Sequence, residues 1–262
     1  MVTSAGLKSA NRDGVNLAYV DTGSGEPALV FIHGWCCNQA MWGEQTRAFA
    51  PRHRVIAVDL RGMGESDKPD QDYDIDGFGE DVAWLLDRIR LERPVLIGHS
   101  MGGVITLNLL RKHPDIARAA VFVDAGIMPF PDQFKPLIAQ MIEGLKSPAS
   151  KDVATGFVKQ FLFRPESPPK LREEVAASMA KAPQRVMHTA LASTLDPNNC
   201  PAGELPVPSL FVRAASLPMT EEQIAERYPG MEVKTMDAGH FVHMEKPEEF
   251  NTLLAKFLDR LA

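Results

Sequence analysis

A serine stands at the centre of Gly98-His99-Ser100-Met101-Gly102, in a setting that suits a nucleophile. The apolar run Pro94-Val95-Leu96-Ile97 leads in, and a helical stretch from Gly103 to His113 leads out. This pattern predicts a strand, a very sharp turn and a helix, with Ser100 at the apex. Gly98 and Gly102 suit so tight a bend, because a side chain at either would crowd the backbone. The apex residue is then held under strain, its hydroxyl above the carboxyl edge of a sheet. The Met101 amide opens the helix, where developing negative charge is stabilised. The chemistry of such a serine is acyl transfer, and it needs helpers. A hydroxyl is a poor nucleophile until a base removes its proton, which an imidazole of pKa near 6.5 does at neutral pH. The base needs an anionic partner to fix its tautomer and stabilise the imidazolium. Two amides aimed at the carbonyl oxygen stabilise the tetrahedral intermediate by roughly 3–4 kcal/mol each.

A chain of 262 residues, 45% apolar and 24% charged, has the length and composition of a globular protein with a sizeable core. A net charge of −6 argues against general affinity for nucleic acid or anionic membrane. No apolar run approaches the length of a membrane span, and Met1-Val2-Thr3-Ser4-Ala5-Gly6 carries no basic-then-apolar leader. Three cysteines, two of them the adjacent Cys36 and Cys37, read as reduced thiols, so a cytoplasmic location is expected. No paired cysteines or clustered histidines suggest a metal, and there is no internal repeat.

Asn16–Val20 and Ala28–Ile32 read as strands, with turn residues from Thr22 to Pro27 between them, so a hairpin is expected to open the fold. A helix is expected over about 39–49, a buried strand over 55–58, and an amphipathic helix over about 76–90 on the spacing of Phe78, Val82, Leu85, Leu86 and Ile89. The serine strand and its helix follow, then a strand over 119–123 that ends at Asp124. Alternating strands and helices make a parallel α/β sheet covered on both faces. From about Ile127 to Asn199 the patterns are helical, with no convincing strand. Strands resume over 207–212 and 231–236, and a last helix begins near Pro247. The expected organisation is a core from 1–127 and 201–262, interrupted by a helical insertion over 128–200. Such an insertion lies over the carboxyl ends of the strands, where open α/β sheets bind ligands, and is read as a lid. Its Phe130, Phe134, Met141, Phe157, Phe161, Phe163, Met179 and Met187 are assigned mostly to its own core.

Four motifs, in this order and spacing, resemble the α/β-hydrolase superfamily over nearly all of the chain. They are His33-Gly34-Trp35, Asp59-Leu60-Arg61-Gly62-Met63-Gly64-Glu65-Ser66, Gly98-His99-Ser100-Met101-Gly102-Gly103, and Ala238-Gly239-His240-Phe241 with Glu245-Lys246-Pro247. The resemblance implies an eight-stranded, mostly parallel sheet with a helical cap after the sixth strand. It implies Ser100 as nucleophile, His240 as base, and an oxyanion hole from the amides of Met101 and of Trp35, the residue after His-Gly.

The acid departs from the superfamily's commoner pattern, which places it after the strand that follows the cap. Here that place reads Arg213-Ala214-Ala215-Ser216-Leu217-Pro218, without a carboxylate, and Glu221 and Glu222 come only later, at the start of a helix. The superfamily's other position is the end of the sixth strand, as in many haloalkane dehalogenases and zearalenone-type lactone hydrolases. Asp124 occupies it. Asp237, three residues before His240, reads as a loop residue on too short a tether to meet the ring. Plainer roles compete throughout: Ser100 as a turn serine, His240 as a loop histidine, Asp124 as a strand-end cap. His33 and His99 are read as structural, His243 as structural or a substrate contact. Asp59, Arg61 and Ser66 are read as holding a turn in which Gly62 and Gly64 take unusual backbone angles.

The expected function is cofactor-independent hydrolysis of a small hydrophobic carboxylic ester or lactone through an acyl-enzyme. Two alternatives stay open: hydrolysis of a C–C bond in a diketone-like substrate, and a small-ligand receptor on the same fold with little turnover. Dehalogenase and epoxide hydrolase relatives normally carry aspartate where Ser100 stands. The expected partner is a small-molecule substrate, with no nucleic acid or membrane, and the oligomeric state is open.

Overall fold

The computed structural model describes residues 6–129 and 132–261, so Phe130 lies outside it. Eight strands form one sheet: β1 (Leu7–Arg12), β2 (Val15–Thr22), β3 (Leu29–Ile32), β4 (Val55–Val58), β5 (Val95–His99), β6 (Ala119–Val123), β7 (Ser209–Ala214) and β8 (Glu232–Met236). Their order is β1-β2-β4-β3-β5-β6-β7-β8. β2 runs antiparallel to β1 and β4, and all other pairs are parallel. Strands β3 to β6 are buried along their whole length, which is why their sequences are unbroken apolar runs.

Alternate residues of these strands feed two cores. Val30, Ile32, Leu96 and Phe122 pack with α2 (Ile75–Arg88) and α3 (Met101–Lys112), while Leu29, Phe31, Ile97 and Val121 pack with α1 (Gly43–Phe49) and α10 (Pro247–Leu258). The expected helix over 39–49 is two pieces. Asn38 caps a 3₁₀ turn over Gln39–Trp42, and α1 follows.

The opening hairpin differs from expectation. β2 and β3 are not neighbours: β3 lies between β4 and β5, and β2 pairs with β1. The hairpin turn is Asp13-Gly14, with Asp13 at φ 51° and Gly14 at φ 87°, both in the left-handed region that such turns require. β1 carries no sequence signal because it is a largely exposed edge strand, Leu-Lys-Ser-Ala-Asn-Arg, with no apolar stripe.

Between β6 and β7 the chain forms α4 (Lys135–Lys146), α5 (Ser150–Phe161), α6 (Pro169–Met179) and α7 (Gln184–Thr194), with no strand among the described residues. Polar ties fasten this segment to the sheet-bearing part. Tyr73 N–H donates to Thr189 Oγ1 at 3.0 Å, Ile75 N–H to Ser193 Oγ at 3.0 Å, and Asn38 Nδ2 to Ser178 Oγ at 2.9 Å. Phe163, Met179 and Met187 are buried, Phe134, Met141 and Phe157 are half-buried, and Phe161 is 54% exposed. The remaining helices are α8 (Glu221–Arg227), closed by a capping box at Thr220 and Gln223, and the short α9 (Val242–Glu245). No described helix is long and apolar enough to cross a membrane.

Candidate active site

Ser100 sits between β5 and α3 with φ 52° and ψ −118°, a backbone strain that a β-carbon-bearing residue adopts only when its surroundings enforce it. The enforcement is steric. A β-carbon on Gly98 would lie 2.2 Å from the Gly102 carbonyl oxygen, and one on Gly102 would lie 2.2 Å from that of Ile32. One on Gly103 would meet the Ala125 side chain at 2.2 Å. The glycines therefore let α3 close down on two strands at once.

Asp124 follows the last residue of β6 and itself takes φ 42°. Because β6 lies beside β5, the Ser100 N–H donates to the Val123 carbonyl at 3.0 Å, putting the serine and the aspartate at one edge of the sheet. The Asp124 side chain is 2% exposed, and both its oxygens are used. Oδ1 accepts from the Ala214 N–H at 2.8 Å, and Oδ2 accepts from His240 Nδ1 at 2.6 Å. A carboxylate can only accept, so this bond places a proton on His240 Nδ1 and turns Nε2 away from Asp124.

The His240 backbone is held on both sides. Its N–H donates to the Leu162 carbonyl at 3.1 Å, and its carbonyl accepts from His99 Nε2 at 3.0 Å. The His99 ring, 4.7 Å from the His240 ring, is neutral: burial, and then the nearness of His240 and His243, push its pKa well down. His243 is buried in a stack on Trp42, with ring centroids 4.1 Å apart, and burial pushes its pKa down to about 3. It is thus a packing residue and has no route to a substrate.

The Trp35 and Met101 N–H groups, one after β3 and one at the first position of α3, have no acceptor among the described residues. His33 shapes the first of these turns. It accepts the Leu60 N–H at Nε2 (3.0 Å), so Nδ1 donates to the Gly34 carbonyl (2.8 Å), and burial lowers its pKa to about 4. The Trp35 indole N–H donates to the Met187 carbonyl of α7 at 2.8 Å. The Asp59–Ser66 loop is a scaffold: Asp59 accepts from the Gln39 and Glu65 amides, and Gly62 and Gly64 have φ 82° and 53°. Arg61 reaches beyond the turn to a paired contact with Asp81 on α2.

The other carboxylates weighed for the acid role lie elsewhere. Asp237 is exposed and pairs with Arg164, whose hydrogen bond and then charge pull its pKa down. Glu221 bonds Thr235, and Glu222 lies beside Thr220 in the first turn of α8. A cavity of about 450 Å³ is lined among others by Cys36, Met41, Met63, Glu65, Val175 and Ser178; neither Ser100 nor His240 lines it. Cys36, Cys37 and Cys200 are unpaired thiols, and no cluster of His, Cys, Asp or Glu suited to a metal occurs among the described residues.

Three contributors to this geometry escape sequence reading. Leu162 acts through its carbonyl, which no residue type signals. His99 reads as a motif residue, and only the fold aims its Nε2 at the His240 carbonyl. Glu245, read only as part of a motif, accepts from Ser167 Oγ at 2.7 Å.

The sequence profile of the alpha/beta hydrolase fold matches residues 27–247. Among curated relatives, the AB hydrolase superfamily protein YisY of Bacillus subtilis (strain 168) is 30% identical over 93% of this chain and 95% of its own length. A haloalkane dehalogenase of Sphingobium indicum is 28% identical over 95% of this chain and 93% of its own. Among solved structures, Est816, described as an N-acyl homoserine lactone degrading enzyme, superposes with a TM-score of 0.79 at 26% identity, covering 95% of this chain and 100% of that one.

Proposed function

The chain belongs to the α/β-hydrolase fold family, and from that premise we propose that it is a serine hydrolase of small hydrophobic carboxylic esters or lactones. In this reading His240 Nε2 takes the Ser100 proton as Oγ attacks the substrate carbonyl. Asp124 holds the ring in the required tautomer and stabilises the imidazolium. The carbonyl oxygen, now an anion, is received by the Trp35 and Met101 amides. The imidazolium gives its proton to the departing alkoxide, leaving an acyl-enzyme. Water, deprotonated by the same imidazole, then releases the acid and restores Ser100. In a lactone the leaving oxygen stays tethered to the acyl group and departs with it in that second step.

The observation that carries this reading is the 2.6 Å bond from His240 Nδ1 to the buried Asp124, at the sheet edge where Ser100 sits strained on its turn. A serine at the apex also speaks against the halide chemistry named for the Sphingobium relative, whose family members normally use a carboxylate there. We further read residues 128–200 as a cap, rich in Phe and Met, that gives the cleft apolar character, since pockets that bind neutral acyl groups are mostly apolar.

The experiment is labelling with a fluorophosphonate, followed by steady turnover of p-nitrophenyl esters and lactones of varied acyl size. Labelling confined to Ser100, turnover favouring neutral apolar acyl groups, and a fall of at least about 10³-fold in kcat for Ser100→Ala with Tm unchanged are expected. Labelling without turnover would indicate the receptor reading. A best substrate that is dianionic would reject the apolar cleft.

A further inference from the structure

We infer that Glu245, acting through Ser167, is a positioning residue for His240, so that the loop joining α5 to α6 sets the base. The inference rests on reading His240 as the base. Its grounds are contacts that do not depend on that reading.

The loop over 162–167 docks on the turn over 237–245 at several points. The Leu162 carbonyl accepts the His240 N–H at 3.1 Å. Phe163 stacks on the fully buried Phe241, ring centroids 5.2 Å apart and planes 15° apart. Arg164 pairs with Asp237. Ser167, 3% exposed, accepts the Arg164 N–H at 3.0 Å on the same oxygen that donates to Glu245 Oε2 at 2.7 Å. Arg172, on α6, donates to the Arg164 carbonyl at 3.0 Å, which ties this loop to the next helix.

Gly239 explains why the fit is close. A β-carbon there would lie 2.6 Å from Glu245 Oε1, 3.3 Å from the Leu162 carbonyl oxygen and 3.4 Å from the Arg164 nitrogen. The residue before His240 is thus a notch that receives both the carboxylate and the neighbouring backbone. Glu245 is bonded in turn to its own loop, its N–H donating to the Phe241 carbonyl at 2.9 Å. The carboxylate therefore links the two sides of the joint. Of its oxygens, Oε1 is buried without a hydrogen-bond partner among the described residues, against the space that the absent Gly239 side chain leaves open.

Three polar groups of His240 are committed: N–H to Leu162, carbonyl to His99, and Nδ1 to Asp124. Release of the first frees the peptide that carries the ring. A displacement of about 1 Å at a reacting group costs up to about 10²-fold in rate.

The test uses the full-length protein and the variants Glu245→Ala, Glu245→Gln and Ser167→Ala. The expected result for Glu245→Ala and Ser167→Ala is a fall in kcat of about ten- to a hundredfold, with KM changed less than about threefold. The rate of Ser100 phosphonylation should fall in parallel. Glu245→Gln, which keeps an oxygen acceptor for Ser167, should recover most of the rate. Lowered Tm with kcat and the phosphonylation rate unchanged would overturn the inference, leaving Glu245 a structural residue. If Glu245→Ala does not fold, Ser167→Ala decides alone. His240→Ala separates the two failures: full activity there rejects the underlying reading, whereas an inactive His240→Ala beside normal Glu245 and Ser167 variants rejects only this inference.

Discussion

His240 has one polar atom, Nε2, without a protein partner among the described residues, and Asp124 is the reason its orientation is defined. Asp124→Asn keeps the shape of that side chain but, with its carbonyl oxygen held on the Ala214 N–H, turns an N–H towards Nδ1 where the ring donates. The wrong tautomer would follow, and kcat is expected to fall by up to about 10⁴-fold. Asp237→Asn, Glu221→Gln and Glu222→Gln should each cost less than about tenfold, since none of them contacts the imidazole. Near-normal kinetics of Asp124→Asn, with one of the other three inactive, would move the acid elsewhere. Ser100, His240 and Asp124 were legible as residues because each stands at the end of a strongly patterned element or within a dense motif. Their partners were less so: the amide of Ala214 and the carbonyl of Leu162 belong to backbone, which any side chain can supply. His243 could be placed only by the fold, since a histidine stacked on Trp42 and one facing a cleft look alike in sequence.

Elements were readable in proportion to their burial. β3 to β6 announce themselves as apolar runs, and α2 and α10 as stripes, because each presents a face to one of the two cores. The error in the opening hairpin has the opposite cause. Thr22-Gly23-Ser24-Gly25 is rich in turn residues, but a turn-rich segment can leave the strand as well as fold back on it. Gly23 and Gly25 have φ 71° and 113°, and β-carbons there would strike the carbonyls of Ala50, Arg52 and His53. The segment therefore threads past the end of α1 on its way to the middle of the sheet. Asp13-Gly14 was the true turn, hidden because β1 has almost nothing to bury. α4 to α7 were recognisable as helices, whereas their docking depends on scattered serine, threonine and asparagine contacts that carry no periodic signal.

At the scale of the whole molecule, three buried histidines link folding to acidity. His33 and His243 have pKa values lowered to about 4 and about 3, and His99 is lowered well below its usual value, in each case first by burial. Each folded value lies below the unfolded one, so the unfolded chain binds more protons as the medium is acidified. The neutral rings thus favour the fold fully above about pH 6.5, and this contribution is lost as pH falls from about 6.5 towards 4. Each group contributes up to about 1.4 kcal/mol per pH unit within that window. Tm measured against pH should fall steeply there, and His243→Phe, which preserves the stack on Trp42, should flatten the fall. An unchanged slope would show that His243 does not titrate between the folded and unfolded states.

The bond from the Trp35 indole to the Met187 carbonyl gives the molecule an optical probe of its own. Trp35 is one of three tryptophans, is 5% exposed, and packs edge-on against Phe157 of α5 with centroids 6.2 Å apart. Its emission therefore reads the distance between the β3 turn and helices α5 and α7. With Trp42→Phe and Trp84→Phe silencing the others, movement of the helices off the turn should shift emission to the red as water reaches the ring. A non-hydrolysable ester analogue that closes them should shift it back. Followed by stopped flow, the same signal would time opening and closing without any added dye, against a turnover rate measured in the same cuvette.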